Sequence, residues 1–162
     1  MSGNSNISLT HAFTLRLDLS PPISVGPTPS GNLSFISFRG GSISGSGIEA
    51  DILPGGGDYA IMTDDGYAKL DVRAHARTSK GDLIYLTYPG RFQLSPGALK
   101  VLSAAPDAEP LEFGSTYLIN TPVIETGSKD HAWVNHTCFI GKGRAEPSKD
   151  GPVVIYEIYK AE

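Results

Sequence analysis

Residues 67–88 read YAKLDVRAHARTSKGDLIYLTY, and this stretch decides the class of fold. Polar and apolar side chains alternate along 67–78, which is the pattern of a β-strand with one apolar face. A turn containing Gly81 follows, and the residues after it form a second apolar run over 82–88. Two such segments joined by a short glycine turn predict an antiparallel hairpin.

Similar short segments lie on both sides of this hairpin. Glycine and proline turns separate them, and we predict further strands at 12–19, 33–41, 47–53, 58–63, 113–120, 131–144 and 152–159. The prolines of 20–32 break regular structure, so this segment is predicted as a loop. One helix is predicted over 95–105, because Ser95 can cap it and Pro96 suits its first turn.

About nine or ten short strands with one short helix predict an all-β fold. We expect a closed or nearly closed antiparallel β-barrel, because closure removes exposed strand edges. A sandwich of two sheets is the alternative. Residues 1–10 are expected to form a flexible N-terminal lead and residues 11–162 a single domain.

The composition excludes several classes of function. There are 13 Lys and Arg against 17 Asp and Glu, and the resulting net charge of −4 argues against a nucleic-acid or membrane surface. A single cysteine excludes an internal disulfide and a cysteine zinc site. No signal peptide or apolar run of about 18 residues is visible, so a cytoplasmic protein is expected.

The strand at 67–78 leaves two alternatives open. Its polar face carries Lys69, Asp71, Arg73, His75 and Arg77. These side chains line a ligand cavity if the apolar face packs outward, and they face water if it packs inward. HExxH, G-x-S-x-G and P-loop motifs are absent from the sequence, which leaves metal-free acid–base chemistry in a pocket or plain ligand binding.

Several sequence blocks together resemble the family known as domain of unknown function 3237. The resemblance covers nearly the whole chain in order, and it implies a small β-barrel. Its most specific parts are the LPGGGD block and the ETG, W-N and F-x-G-x-G sequence. The blocks are GGSISGSGIEADILPGGGDY (40–59), LDVRAHARTSKGDLIYLTYPG (70–90), YLINTPVIETG (117–127), AWVNHTCFIGKGR (132–144) and VIYEIY (154–159).

The resemblance also implies an activity. A fungal member of this family acts in herqueinone-type phenalenone biosynthesis, where it adds a phenol oxygen across the terminal alkene of a reverse-prenyl group and closes a dihydrobenzofuran. The implied function is a hydroalkoxylation cyclase that needs no cofactor or metal and takes a prenylated aromatic polyketide. A lipocalin-like carrier of an apolar metabolite, or a cyclase or isomerase for another polyketide, are the alternatives. We also expect self-association through an apolar outer stripe.

The family blocks supply the candidate site residues. Glu125 and Asp58 are the candidate acid or base, because both lie beside glycines in these blocks. Arg73 and His75 are candidates for orienting or deprotonating the phenol. Ile119 stands where family members often carry Arg, which would make a pocket less suited to an anion. The full set of predicted substrate contacts is Asp51, Tyr59, Tyr117, Ile119, Trp133 and Asn135.

Overall fold

The computed structural model describes residues 3–162, and most of them form strands of one antiparallel sheet. Met1 and Ser2, which belong to the predicted lead at 1–10, lie outside the described residues. The strands are β1 (Leu9–Leu19), β2 (Ile23–Thr28), β3 (Gly31–Gly45), β4 (Ile48–Ile52), β5 (Gly57–Met62), β6 (Tyr67–Thr78), β7 (Leu83–Gln93), β8 (Leu118–Asn120), β9 (Val123–Thr126), β10 (Phe139–Glu146) and β11 (Val153–Ala161).

Eight of these strands close into a barrel. Each pairs with the next in the order β1, β3, β5, β6, β7, β8, β10 and β11, and β11 pairs back to β1. The prediction of a closed antiparallel barrel is therefore confirmed, and the sandwich alternative is excluded. Strands β2, β4 and β9 pair on the outside of this ring.

The β6–β7 hairpin forms as predicted and decides which face of β6 points inward. The two strands pair from Tyr67 opposite Gln93 to Arg77 opposite Leu83. Side chains 68, 70, 72, 74 and 76 are all buried, whereas the intervening polar ones are exposed. The apolar face of β6 therefore packs into the core, and its polar face meets solvent. The expected apolar outer stripe, formed by Leu70, Val72 and Ala74, is not on the surface, because these side chains are buried in the core.

The predicted loop at 20–32 contains a strand. Strand β2 pairs with β3, with Pro27 opposite Asn32. Among the described residues, β2 has β3 as its one partner. A proline is tolerated at such a position because an edge strand leaves half of its N–H groups unpaired in any case. The prolines of this segment therefore mark an edge strand of the sheet.

The predicted helix is present as α1 (Pro96–Leu102), with the expected cap. The Ser95 hydroxyl oxygen accepts the N–H of Ala98 at 3.2 Å. Ala98 and Val101 are fully buried, so the helix packs one face against the barrel. Its last residue, Leu102, lines the lumen, and α1 thereby covers one end of the barrel.

Two predicted strands are shorter than the alternation indicates. The segment predicted at 113–120 is a strand over Leu118–Asn120 alone. The one predicted at 131–144 begins with a 3₁₀ helix, Ala132–His136, and extends as a strand from Phe139. The helical turn is held by the Asn135 amide, which bonds both backbone groups of Thr126 at 2.8 and 3.0 Å. These side-chain bonds replace the ladder that a strand would have formed.

Candidate active site in the barrel lumen

The lumen between α1 and the middle of the barrel is almost entirely apolar. It contains a cavity of about 40 Å³, which is room for a few water molecules. Three polar side chains contribute to its wall, Asp58, Tyr88 and Tyr156. The apolar wall is formed by Leu17, Leu19, Ile36, Phe38, Ala60, Met62, Ala68, Leu70, Val72, Phe92, Leu102, Leu118 and Val154.

Asp58 enters the lumen because the glycines before it allow β5 to start close to its neighbours. A Cβ on Gly56 would lie 2.5 Å from the carbonyl oxygen of Arg73, and one on Gly57 would lie 2.5 Å from the Phe35 ring. Glycine is the residue that fits such close backbone approaches. The glycines of the GGGD block therefore allow the Asp58 carboxyl group to lie in the barrel interior.

The environment of Asp58 favours its neutral form. The side chain is 8% exposed, and its Oδ1 atom accepts the N–H of Asp71 at 2.9 Å. Burial raises its pKa from 3.8 to about 7, and the negative charge of Asp71 adds to the rise, whereas the backbone hydrogen bond opposes it. Near neutral pH, Asp58 can therefore both donate and accept a proton.

Two buried tyrosines stand beside this carboxyl. The rings of Tyr88 and Tyr156 meet edge to face with their centroids 5.6 Å apart. Burial raises the pKa of both hydroxyls above the ordinary value, and the charge of Asp58 raises both further. Both phenols therefore remain protonated at neutral pH and can relay a proton without carrying charge.

Glycines of the F-x-G-x-G block make room for this cluster. Gly143 faces Tyr156, and a Cβ there would lie 2.7 Å from atoms of Leu118 and Tyr156. Gly141 occupies the next inward position of β10, and a Cβ there would overlap the Oδ1 atom of Asn120. The two glycines of this block therefore leave space inside the barrel for the side chains of Tyr156 and Asn120.

Asn120 is as deeply buried as Tyr156, at 1% exposure. Its amide lies against Gly141, and Tyr88 is near enough for the amide to act on the Tyr88 pKa. Neither Oδ1 nor Nδ2 has a hydrogen-bond partner of ordinary geometry among the residues that the structure describes. A buried amide in this condition leaves a strong hydrogen-bonding capacity unmet.

Asp58 is the predicted site residue that lies in the lumen. Arg73 and His75 are exposed on the polar face of β6, and Glu125 is exposed on β9 opposite Tyr85. Of the two alternatives left open for the polar face of β6, the structure shows the one that faces water, and the alternation of β9 turns Glu125 outward as well. Glu125, His75 and Asn135 do come together, but along a groove on the outer surface.

The predicted substrate contacts also lie outside the cavity. Asp51 is exposed on β4, and Tyr59 stacks on Phe35 at the outer surface with a centroid distance of 4.7 Å. Tyr117 and Ile119 line a second outer groove, between β7 and β8. Trp133 is half-buried and packs edge-on against Phe139 at 5.9 Å.

The buried polar residues missed from the sequence are Tyr88 and Tyr156, which line the lumen, and Asn120, which lies next to Tyr88. Tyr88 shares its strand face with Ile84 and Leu86, and Tyr156 shares its face with apolar residues of β11. A tyrosine on the apolar face of an alternating strand is therefore the signal that could have identified two of them. Asn120 has no comparable signal, because it ends a strand of three residues.

Within 3–162, no group of three or more His, Cys, Asp or Glu side chains is arranged to hold a metal ion. The same residues contain no helix of the length and apolar character needed to cross a bilayer.

Fold and site together define a small closed β-barrel protein with a buried acid–base cluster in its lumen. The chain belongs to a family described as protein of unknown function (DUF3237), whose model matches residues 7–161. The family predicted from the sequence blocks is therefore confirmed.

Two curated relatives illustrate the breadth of this family. A UPF0311 protein of Rhodopseudomonas palustris (strain TIE-1) is 27% identical over 132 residues, 81% of this chain and 84% of the relative. The PR-toxin biosynthesis cluster protein 7 of Penicillium roqueforti (strain FM164) is 26% identical over 152 residues, 84% and 82% of the two chains.

Solved structures share the barrel. A conserved protein of unknown function from Rhodopseudomonas palustris superposes with a TM-score of 0.82 at 21% identity, over 98% of this chain and 100% of the other. An enzyme from Penicillium herquei superposes with a TM-score of 0.67 at 17% identity, over 100% and 99%. At these identities the likeness shows the common fold alone.

Proposed function

We propose that this chain is a cofactor-independent cyclase of fungal secondary metabolism. The proposed reaction is the enantioselective intramolecular hydroalkoxylation of a reverse-prenylated aromatic polyketide, such as a phenalenone, to a dihydrobenzofuran. One observation carries the proposal, a carboxyl group buried in an apolar lumen whose wall also contains two buried tyrosines. The curated relative named for a PR-toxin biosynthesis cluster and the fold shared with a Penicillium herquei enzyme support the biosynthetic setting.

Asp58 is the proposed proton donor. Its neutral carboxyl delivers a proton to the terminal carbon of the alkene, which becomes a tertiary carbocation as the carboxyl becomes a carboxylate. The aromatic faces of Tyr88 and Tyr156 border the same cavity and can stabilise the developing positive charge. A carboxyl with a pKa of about 7 is well matched to this step near neutral pH.

Ring closure then restores the starting state of the protein. The phenol oxygen attacks the cation, a carbon–oxygen bond forms, and the phenol proton passes to the Asp58 carboxylate directly or through a tyrosine hydroxyl. The product is an isomer of the substrate, so no electrons are gained or lost. The enclosed site also accelerates ring closure by holding the phenol oxygen and the alkene of the substrate in a reactive orientation. This reduces the conformational entropy that is lost on the way to the transition state.

Substrate binding requires the barrel to open. A cavity of about 40 Å³ is far below the roughly 300 Å³ of an ordinary small-molecule site. Leu102 of α1 lines the cavity, and leucines and phenylalanines form much of the remaining wall. We therefore expect α1 and neighbouring side chains to move when a polyketide enters.

The direct test compares acid variants in a turnover assay. Purified protein, treated with a chelator, is incubated with a reverse-prenylated phenalenone phenol, and the cyclic ether is resolved by chiral chromatography. We expect one dominant enantiomer from the wild type and a loss of at least about 100-fold in Asp58→Asn. The exposed Asp64→Asn change is the matched control and should keep the wild-type rate.

The remaining outcomes separate the alternatives. Because Asp58 acts in its protonated form, kcat/KM should fall as the pH rises through about 7. Loss of turnover in Glu125→Gln with full activity in Asp58→Asn would transfer the proton-donor role to the outer groove. Racemic product at the buffer rate would count against this substrate, and tight binding without turnover would favour a lipocalin-like carrier.

A further inference from the structure

We infer that the buried amide of Asn120 forms, with the Tyr88 hydroxyl, a subsite that recognises a phenolic hydroxyl of the ligand. This inference rests on the proposed function, because it assigns the lumen its substrate class. Asn120 is 1% exposed, its amide interacts with the Tyr88 hydroxyl, and neither of its polar atoms has a hydrogen bond of ordinary geometry among the described residues. Its neighbour Tyr88 lines the cavity.

The barrel is shaped around this amide. Gly141 lies beneath its oxygen, where any larger residue would overlap it. Gly90 lies on the other side, and a Cβ there would be 3.4 Å from the Cβ of Asn120. Strand β8, which carries Asn120, is three residues long and pairs with both β7 and β10 at this position. The amide is therefore held by backbone on both flanks, while its hydrogen-bonding atoms remain unsatisfied.

The chemistry of an amide selects the ligand group. Oδ1 needs a donor and Nδ2 needs acceptors, whereas an ether or ketone can only accept. A hydroxyl can serve either atom, because it both donates and accepts. Tyr88, the other member of the subsite, lines the cavity together with Phe38 and Phe92, which favours an aromatic ring as the carrier of that hydroxyl. A phenol combines the two requirements.

A pair of small probes isolates this recognition. Phenol and toluene have nearly the same shape and differ in a hydroxyl against a methyl group. Both require the same widening of the cavity, so the ratio of their dissociation constants reports the polar interaction. We expect the wild type to bind phenol about tenfold more tightly than toluene, measured by NMR titration. In Asn120→Leu, which keeps the branching of the side chain at Cγ and removes its polar atoms, toluene should bind at least as tightly as phenol.

Three further measurements accompany the comparison of phenol and toluene: the melting temperature of the variant, a control variant and the NMR signals of the Asn120 amide. The melting temperature of Asn120→Leu checks that the variant is folded, because a larger side chain between Gly141 and Gly90 can overpack the site. Asn32→Leu, at an exposed position of β3, is the control and should keep the wild-type ratio. In the wild type, phenol but not toluene should shift the side-chain amide resonances of Asn120, and this measurement needs no variant.

The outcomes distinguish the subsite from the proposed reaction. An unchanged phenol-to-toluene ratio in Asn120→Leu, or an Asn120 amide signal that phenol does not move, would overturn the subsite even if cyclisation proceeds. If the wild type prefers phenol and the variant does not, the subsite holds. Absence of cyclisation would then reject the proposed function alone.

Discussion

We predict that the buried carboxyl of Asp58 makes the folded protein less stable as the pH rises from about 4 to about 7. Its pKa in the folded state is about 7, against an ordinary value of 3.8. Each unit of difference corresponds to about 1.4 kcal/mol, so the full effect is about 4 kcal/mol. That is a large fraction of the stability of a domain of this size.

The sign follows from where the proton is held. The unfolded chain releases the Asp58 proton near pH 4, whereas the folded chain keeps it until about pH 7. Between these values the folded state binds more protons, so the free energy of unfolding decreases as the pH rises. Below this window both states are protonated and above it both are ionised, so the contribution of Asp58 becomes constant.

The assay is denaturant unfolding of the wild type and Asp58→Asn at pH 5 and pH 8. Asparagine is neutral at both values, and its side-chain oxygen can still accept the Asp71 N–H. We expect the wild type to lose about 3 kcal/mol more than the variant between these two pH values. Other titrating groups are common to both proteins and cancel in the comparison. Parallel losses would refute a buried carboxyl with a raised pKa.

Two further predictions concern the parts of the fold that hold the site. Gly141→Ala should destabilise the protein by about 1–3 kcal/mol, because its Cβ would overlap the Asn120 amide. A Cβ added at Gly127 would have no atom within 4 Å, so Gly127→Ala should change the denaturation midpoint little. Equal destabilisation by the two substitutions would contradict the close packing of Gly141 against Asn120. Ser95→Ala should reduce stability by about 1 kcal/mol through loss of the α1 cap, whereas the exposed Ser79→Ala should not; a wild-type midpoint for both would dismiss the cap.

The alternation of the sequence predicts the barrel well where a strand has one buried face. The hairpin at 67–88 forms as predicted because alternate side chains of β6 fill the core. Pattern reasoning fails where side chains supply the hydrogen bonds. The 3₁₀ turn at Ala132–His136 depends on Asn135 bonding the backbone of β9, a contact that no local pattern contains.

The site was harder to predict than the fold. Alternation identifies two faces of a strand, and the direction of each face depends on the closed barrel around it. For β6, the polar face that carries Arg73 and His75 meets solvent. The residues that reach the cavity with Asp58 are tyrosines on apolar faces, and they resemble ordinary core residues in sequence. Asp58 was identifiable because it lies beside glycines in a block that resembles the family, and in the structure these glycines permit a close backbone approach.

In the lumen cluster, the free-energy cost of burying polar groups lowers the stability of the fold and also prepares Asp58 for proton transfer. Apolar side chains in place of Asp58 and Asn120 would satisfy the hydrophobic core better, since a buried carboxyl and an unpaired amide both oppose folding. The same desolvation that opposes folding raises the pKa of Asp58 to about 7 and equips it to donate a proton at neutral pH. Substitutions that neutralise the cluster should therefore stabilise the folded barrel while they abolish turnover. Such opposite effects distinguish a functional cluster from polar residues that serve the fold, whose removal lowers both.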